Sequence, residues 1–385
     1  MALQLSVGLH ASAGSYRLRQ TYIWPLAFTR QRTSMTPLDH LLGRLEERVG
    51  RFWCALLIGC MWAIAAALFV GPGLVPAFHG EEYSDLSQAP FDLTISSRLR
   101  YRILGPLIGY LMGLRGAWFL VVPWIFLVLF LGTIYNETRR TDLSPTLALL
   151  ASGSMAFSCV TFIPLVAPGY TDPITYFFVL LAFARIGHIG LSAGCLALAI
   201  ANHEAVLFLL PGFLCWWWIR TPDVKRMARY GFVLGLALVP YLAYRYWVSV
   251  HHSTALDVAY YFSEANMTNS IREITPTALW GIFAAFRLFW IFPIVAVLLH
   301  LRRRRWLHVA FYVITLFGVL FQLLIAFDTT RMLCFGFPLV LVGIWEVAHR
   351  RGWPFATRLA LACLLLDLFV PATMVGSNQI VHLPH

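Results

Sequence analysis

The stretch FWCALLIGCMWAIAAALFV, residues 52–70, decides the fold. It carries no charge and no proline, and as an α-helix it reaches about 28 Å, close to the ~30 Å hydrocarbon thickness of a bilayer. A core helix of a soluble protein keeps a polar face; this one has none. Arg17, Arg19, Arg30, Arg32, Arg44, Arg48 and Arg51 all precede it. Such an excess of positive charge marks the cytoplasmic side of a first span.

Outward from this run the pattern repeats. Apolar segments follow at Gly116–Tyr135, Pro145–Val166, Ile174–Ile186, Tyr230–Val248, Thr277–His300, Trp306–Phe327, Leu333–Val347 and Phe355–Val375. Gly190–Ala201 and Ala205–Ile219 are short and read as a half-depth helical hairpin bent at Asn202-His203-Glu204. Read as one span, residues 190–219 would put Arg302–Arg305 outside, against the charge rule. Residues 94–114 are too short and too basic to cross, and read as an interfacial helix on the outer face. The expectation is an all-α polytopic membrane protein of about ten or eleven transmembrane segments. Residues 1–51 read as a cytoplasmic, partly disordered tail, with Met1 or Met35 as the start. Residues 52–376 read as the membrane domain and 377–385 as a short outer tail.

Of 385 residues 59% are hydrophobic and 12% charged, and the mean hydropathy is +0.71. The formal net charge of +11 does not point to nucleic acid. Its basic residues, nearly all arginine, cluster at the ends of apolar runs and form no continuous basic face. The seven cysteines lie in or beside apolar runs without a Cys-x-x-Cys pair, as small buried hydrophobes do. The first 34 residues have no clean hydrophobic region of a cleavable signal. Compact loops suit a bacterial inner membrane, with the amino terminus cytoplasmic.

Charged and imidazole side chains in so apolar a chain need pairing, water or a use. On this topology most fall at the outer boundary. Glu81, Glu82 and Asp85 follow the first span; they are either a solvated loop or paired carboxylates fit for a divalent ion or a general base. Arg98 and Arg102 would share a helix face, with Arg100 turned away, and would snorkel to headgroups or hold a lipid phosphate. Asp172 precedes Pro173 and reads as a helix N-cap that is also available to substrate. His203 and Glu204 sit between two hydrophobic arms, where a carboxylate needs a partner. Leu207 excludes the His-Glu-x-x-His zinc motif. Asp328 and Arg331 are spaced for a local ion pair or for an arginine fork on phosphate. Arg245, Arg287 and Asp367 lie deeper and read as pairs between spans.

An acidic loop after the first span, Glu81-Glu82-Tyr-Ser-Asp85, followed by an interfacial segment, Arg98-Leu-Arg-Tyr-Arg-Ile-Leu-Gly-Pro106, resembles the GT-C superfamily of integral-membrane glycosyltransferases. The late Asp-x-x-Arg turn and the outer Asp-Pro turn are similar to those of bacterial membrane proteins with GT-C-like architecture. The resemblance covers roughly residues 52–345. It implies sugar transfer at the extracytoplasmic face from a polyprenyl-phosphate-linked donor to a lipid, glycan or protein acceptor. Glu82 and Asp85 would be catalytic, as general base or as ligands of a divalent metal, Mg or Mn. Arg98, Arg102, Asp172, His203, Glu204, Asp328 and Arg331 would bind substrate. The chain departs from a strict Asp-Asp or Asp-Glu pair and lacks a soluble acceptor domain. A transporter or lipid flippase and a non-catalytic membrane subunit stand as alternatives. A transporter would show paired broken helices near mid-membrane and often an internal repeat; no convincing repeat is visible, and the polar sites lie at one face instead of at the midplane.

Overall fold

Thr36 is the first described residue and caps a helix. Its hydroxyl accepts from Asp39 N, and the Asp39 carboxylate accepts from Thr36 N. This reciprocal box starts helix α1 (Pro37–Val49), which leads into α2 (Arg51–Val70). The computed structural model describes residues 36–95, 99–251, 262–326, 328–376 and 379–383. The expectations for residues 1–35, including the choice of start, lie outside the described residues, as does Arg98.

Among the described residues the protein is all-α apart from one small hairpin. Helices α3 (His79–Gln88), α4 (Leu104–Leu111), α5 (Val121–Arg140), α6 (Pro145–Ala156), α7 (Cys159–Val166), α8 (Asp172–Ala184) and α9 (Ile189–Asn202) follow. After these come α10 (Leu210–Arg220), α11 (Val224–His251), α12 (Glu264–Ile274), α13 (Ala278–Phe286), α14 (Ile291–Arg302) and α15 (Trp306–Phe321). Last are α16 (Thr329–Cys334), α17 (Phe337–Arg351), α18 (Trp353–Asp367) and the strands β1 (Thr373–Gly376) and β2 (Gln379–His382). The strands are antiparallel, Thr373 opposite His382 and Gly376 opposite Gln379. The expected outer tail therefore carries β2.

Among the described residues, five helical stretches are long and apolar enough to cross a membrane: Arg51–Val70, Gly116–Arg140, Val224–His251, Ala278–Arg302 and Trp306–Leu324. Helices α6 and α7 supply a sixth if taken together across their 46° bend. The other predicted segments are built from shorter helices. The run expected as one span over Thr277–His300 is interrupted at Arg287, which has φ 50° and donates to the Asp367 carbonyl at 2.7 Å. Arg287 and Asp367, both expected only to pair between spans, meet through the Asp367 backbone carbonyl. Arg245 likewise pairs between segments, with Glu204.

The core lies around α17, buried at every residue from Phe337 to Ala348, and α6, buried at all but Leu149. Helices α2 and α5 touch backbone to backbone. A Cβ on Gly132 would stand 2.7 Å from the Ala55 carbonyl, and one on Gly59 would collide with the Val128 carbonyl. Small residues at such crossings are what helix association in lipid relies on. One end of the bundle gathers the arginines. Arg139 grips Glu46 at 2.8 and 2.9 Å, and Arg185 grips Glu137 at 2.7 and 2.8 Å. These bidentate pairs fasten α1 and α8 to the end of α5. The opposite end, where α8 begins at Asp172, holds the remaining polar groups.

Candidate functional site

Asn202 builds the frame at the Asp172 end. Its side-chain nitrogen donates to the Thr171 carbonyl at 2.8 Å and to Thr175 Oγ1 at 2.7 Å; its oxygen accepts from Gly105 N at 3.1 Å. One amide thereby joins the end of α9, the start of α8 and the start of α4. The interfacial helix expected over 94–114 is confined to Leu104–Leu111, with Pro106 in its first turn. Before it, Arg100 is buried and donates to the carbonyls of Asp92 and Ile95. Its guanidinium is spent on holding the loop, so it does not face headgroups.

Glu204 stands between two arginines. Arg102 Nε donates to Oε2 at 3.2 Å and Arg245 Nη1 to Oε1 at 2.9 Å. Arg245 also donates to the Tyr241 hydroxyl at 3.1 Å and lies over the Tyr101 ring, 4.4 Å from its centre. Arg102 reaches the Tyr83 hydroxyl at 3.4 Å. Two guanidiniums against one carboxylate leave a net charge of +1. The three side chains keep 19–25% of their surface exposed, so the charge is within reach of a ligand.

Asp172 and Arg331 form a closed pair. Arg331 Nε and Nη2 reach the two carboxylate oxygens at 2.6 and 3.0 Å, and both side chains are almost wholly buried. The sequence reading of Asp172 as an N-cap gives way to this: Thr171 is the cap position, and the carboxylate faces Arg331. Arg331 also bypasses the local pair expected with Asp328, because a bidentate buried partner outweighs a one-turn contact. The Tyr170 ring covers its guanidinium at 4.4 Å.

Asp328 is left with a buried Oδ1 that has no hydrogen-bond partner. Burial pushes its carboxyl up to about 6, against the pull of Arg331. The β-hairpin closes over this corner, with Val375 N donating to Thr330 Oγ1 at 2.8 Å. His203 is 2% exposed. Its Nδ1 accepts from Ala205 N at 3.2 Å, and its Nε2 is a second orphan. Burial, then the nearby charges of Arg102, Arg331 and His79, hold its pKa well below the usual histidine range. A neutral ring with Nδ1 accepting carries its proton on Nε2, ready to donate.

Glu81, Glu82 and Asp85 lie on α3, a helix where a loop was expected. Glu82 Oε1 is 3.2 Å from His79 Nδ1, and the His79 ring packs 5.6 Å from Tyr170. Glu81 and Asp85 are exposed. Among the described residues, neither Glu82 nor Asp85 belongs to a group of three ligand-type side chains. Two carboxylates one turn apart still suit Mg, which takes one or two and fills its shell with water and substrate phosphate.

Beside the Glu204 cluster opens an apolar groove of about 500 Å³ between α4, α9 and α11. Its walls include Ile103, Leu107, Gly194, Ala201, Tyr241 and Tyr244. Ile103 adjoins Arg102, and Tyr244 adjoins Arg245. The structure thus brings together Glu82, Arg102, Asp172, His203, Glu204, Asp328 and Arg331, leaves Asp85 at the surface, and adds Tyr83, Tyr170, Asn202 and Arg245. Only Arg245 among the additions carried a sequence signal, as a charge inside an apolar run. No protein-family model matches the chain, nor does any curated protein or solved structure.

Proposed function

We propose that the chain is a membrane glycosyltransferase of GT-C type, with ten or eleven membrane segments in a bacterial inner membrane, its amino terminus cytoplasmic and its Asp172 end extracytoplasmic. It moves a sugar from a polyprenyl-phosphate-linked donor to a lipid, glycan or protein hydroxyl. One observation carries this reading: a groove lined by aliphatic and aromatic side chains shares its wall residue Tyr241 with Arg245, one of two part-exposed arginines on a single carboxylate. An isoprenoid chain suits the groove and a phosphate suits the charge.

In this reading Arg102 and Arg245 hold the donor phosphate and stabilise the charge it gains as the bond to the sugar breaks. Arg331, whose fork is occupied by Asp172, positions α16 and Asp328 against α8. His203 Nε2–H and Asp328 face substrate hydroxyls. Glu82, steered by His79, accepts the proton of the attacking hydroxyl, with Asp85 beside it. A divalent ion held by Glu82 and Asp85 would supply further charge neutralisation at the phosphate.

Native mass spectrometry of the purified protein tests this. The expected result is bound polyprenyl phosphate, with or without sugar, that is lost in Arg102→Ala. Bulk phospholipid alone, unchanged in the variant, would overturn the donor assignment.

A further inference from the structure

At the arginine-rich end, far from the groove, three helices bring ligand-type side chains together. His300 lies in the last turn of α14, His308 in the first turn of α15, and Glu346 on α17. One ligand atom from each lies within 4.8 Å of the other two. His300 is wholly buried; its Nδ1 has no hydrogen-bond partner, and its Nε2 has only a long 3.5 Å contact with Glu346 Oε2. The His300 and His308 rings stack at 4.3 Å. An orphaned polar group inside a fold costs about 1–3 kcal/mol, so Nδ1, beside an Nε2 held only by a long contact, calls for a partner.

We propose that His300, His308 and Glu346 bind one divalent transition-metal ion of the zinc type, which fastens α14, α15 and α17 together. Two imidazoles and a carboxylate form a borderline donor set that suits zinc, cobalt or nickel, whereas Mg and Ca prefer oxygen alone. Three protein ligands leave a fourth position for water. Tetrahedral bonds of 2.0–2.2 Å put donor atoms about 3.4 Å apart, so the three atoms must close by roughly an ångström, within reach of side-chain rotation. His308 is only half-buried, so its ring can make that turn by leaving the stack with His300.

Arg350 Nε donates to Glu346 Oε2 at 2.8 Å and fixes the carboxylate, as outer partners of metal-binding carboxylates do. Arg350 and the neighbouring Arg305 add positive charge, so the ion is held by its covalent preference for imidazole and not by net field. Glu346 lies nine residues, about 14 Å, along α17 from Phe337, and Arg331 lies before that helix begins, on α16. The ion therefore takes no part in chemistry at the groove and acts on the packing of the bundle.

The test uses the full chain, purified in detergent through a tag without histidine, stripped with a chelator and titrated with Co(II) and Zn(II). Expected are one Co(II) per chain with the intense visible bands of tetrahedral cobalt, displacement by Zn(II), and a raised melting temperature. His308→Gln, which leaves the buried residues untouched, should weaken the metal at least about a hundredfold while the metal-free chain melts as before. Binding below half an equivalent, or binding unchanged in both His308→Gln and Glu346→Gln, would overturn the assignment.

Discussion

At the residue scale the balance between paired and orphaned charge governs the Asp172 end. Breaking a buried pair such as Asp172–Arg331 by removing one partner costs about 3–5 kcal/mol, because the other charge is stranded. Asp328 is already partly stranded, with Oδ1 unpartnered and only the charge and backbone N–H of Arg331 to hold its carboxylate. Its folded carboxyl titrates at about 6, above the ordinary 3.8. The folded chain therefore holds this proton more tightly than the unfolded one. The stability it contributes is complete below about pH 3.8 and is lost as the pH rises through about 6. Asp328→Asn should flatten the pH dependence between these values and stabilise the chain at neutral pH, by at most about 3 kcal/mol. Melting curves in detergent from pH 4 to 8 check this; an unaltered slope in the variant would mean that Asp328 is solvated.

At the element scale α3 is the piece that carries carboxylates into the site, and its docking depends on a contact without side chains. A Cβ at Gly80 would run into the Pro168 carbonyl. Gly80→Ala should lift α3 from the turn before α8, at a cost of about 1–3 kcal/mol. Hydrogen exchange should accelerate over residues 79–88 and stay slow in α2 and α5; equal protection throughout would show that the turn yields instead. The long apolar runs were legible in the sequence because a bilayer imposes their length and composition, as at residues 52–70. So was the isolation of Glu204 and Arg331 among hydrophobes, which marks them as partnered or used. Their partners were not legible: Arg331 meets a residue 159 positions away, a choice made by packing. Asn202 and Tyr170 look like ordinary bend residues until the fold assembles around them. The hairpin escaped because four-residue strands leave little periodic signal, and α3 escaped because a polar ten-residue helix reads as a loop.

At the scale of the whole molecule, polar chemistry is divided between two ends with a densely packed core between them. The groove can be closed without touching either end. Gly194 lines it, and a Cβ there meets nothing within 4 Å. Gly194→Leu should fill the groove and strengthen α9, since glycine within a helix costs about 1 kcal/mol against better formers. If the proposed donor assignment holds, the variant melts no lower than the parent but loses most of any polyprenyl lipid that co-purifies with the parent. Full retention of lipid would place the chain elsewhere.

One wall of that groove is α11, 28 residues long and buried over only 11% of its apolar window. Its length is about 42 Å, against ~30 Å of hydrocarbon. Such a helix must lean, or push its ends through both interfaces, and little packing restrains it. Arg245 rides on this helix while Arg102 does not, so the angle at which α11 crosses the bilayer sets the gap between the two guanidiniums. Membrane thickness thereby becomes an input to the site.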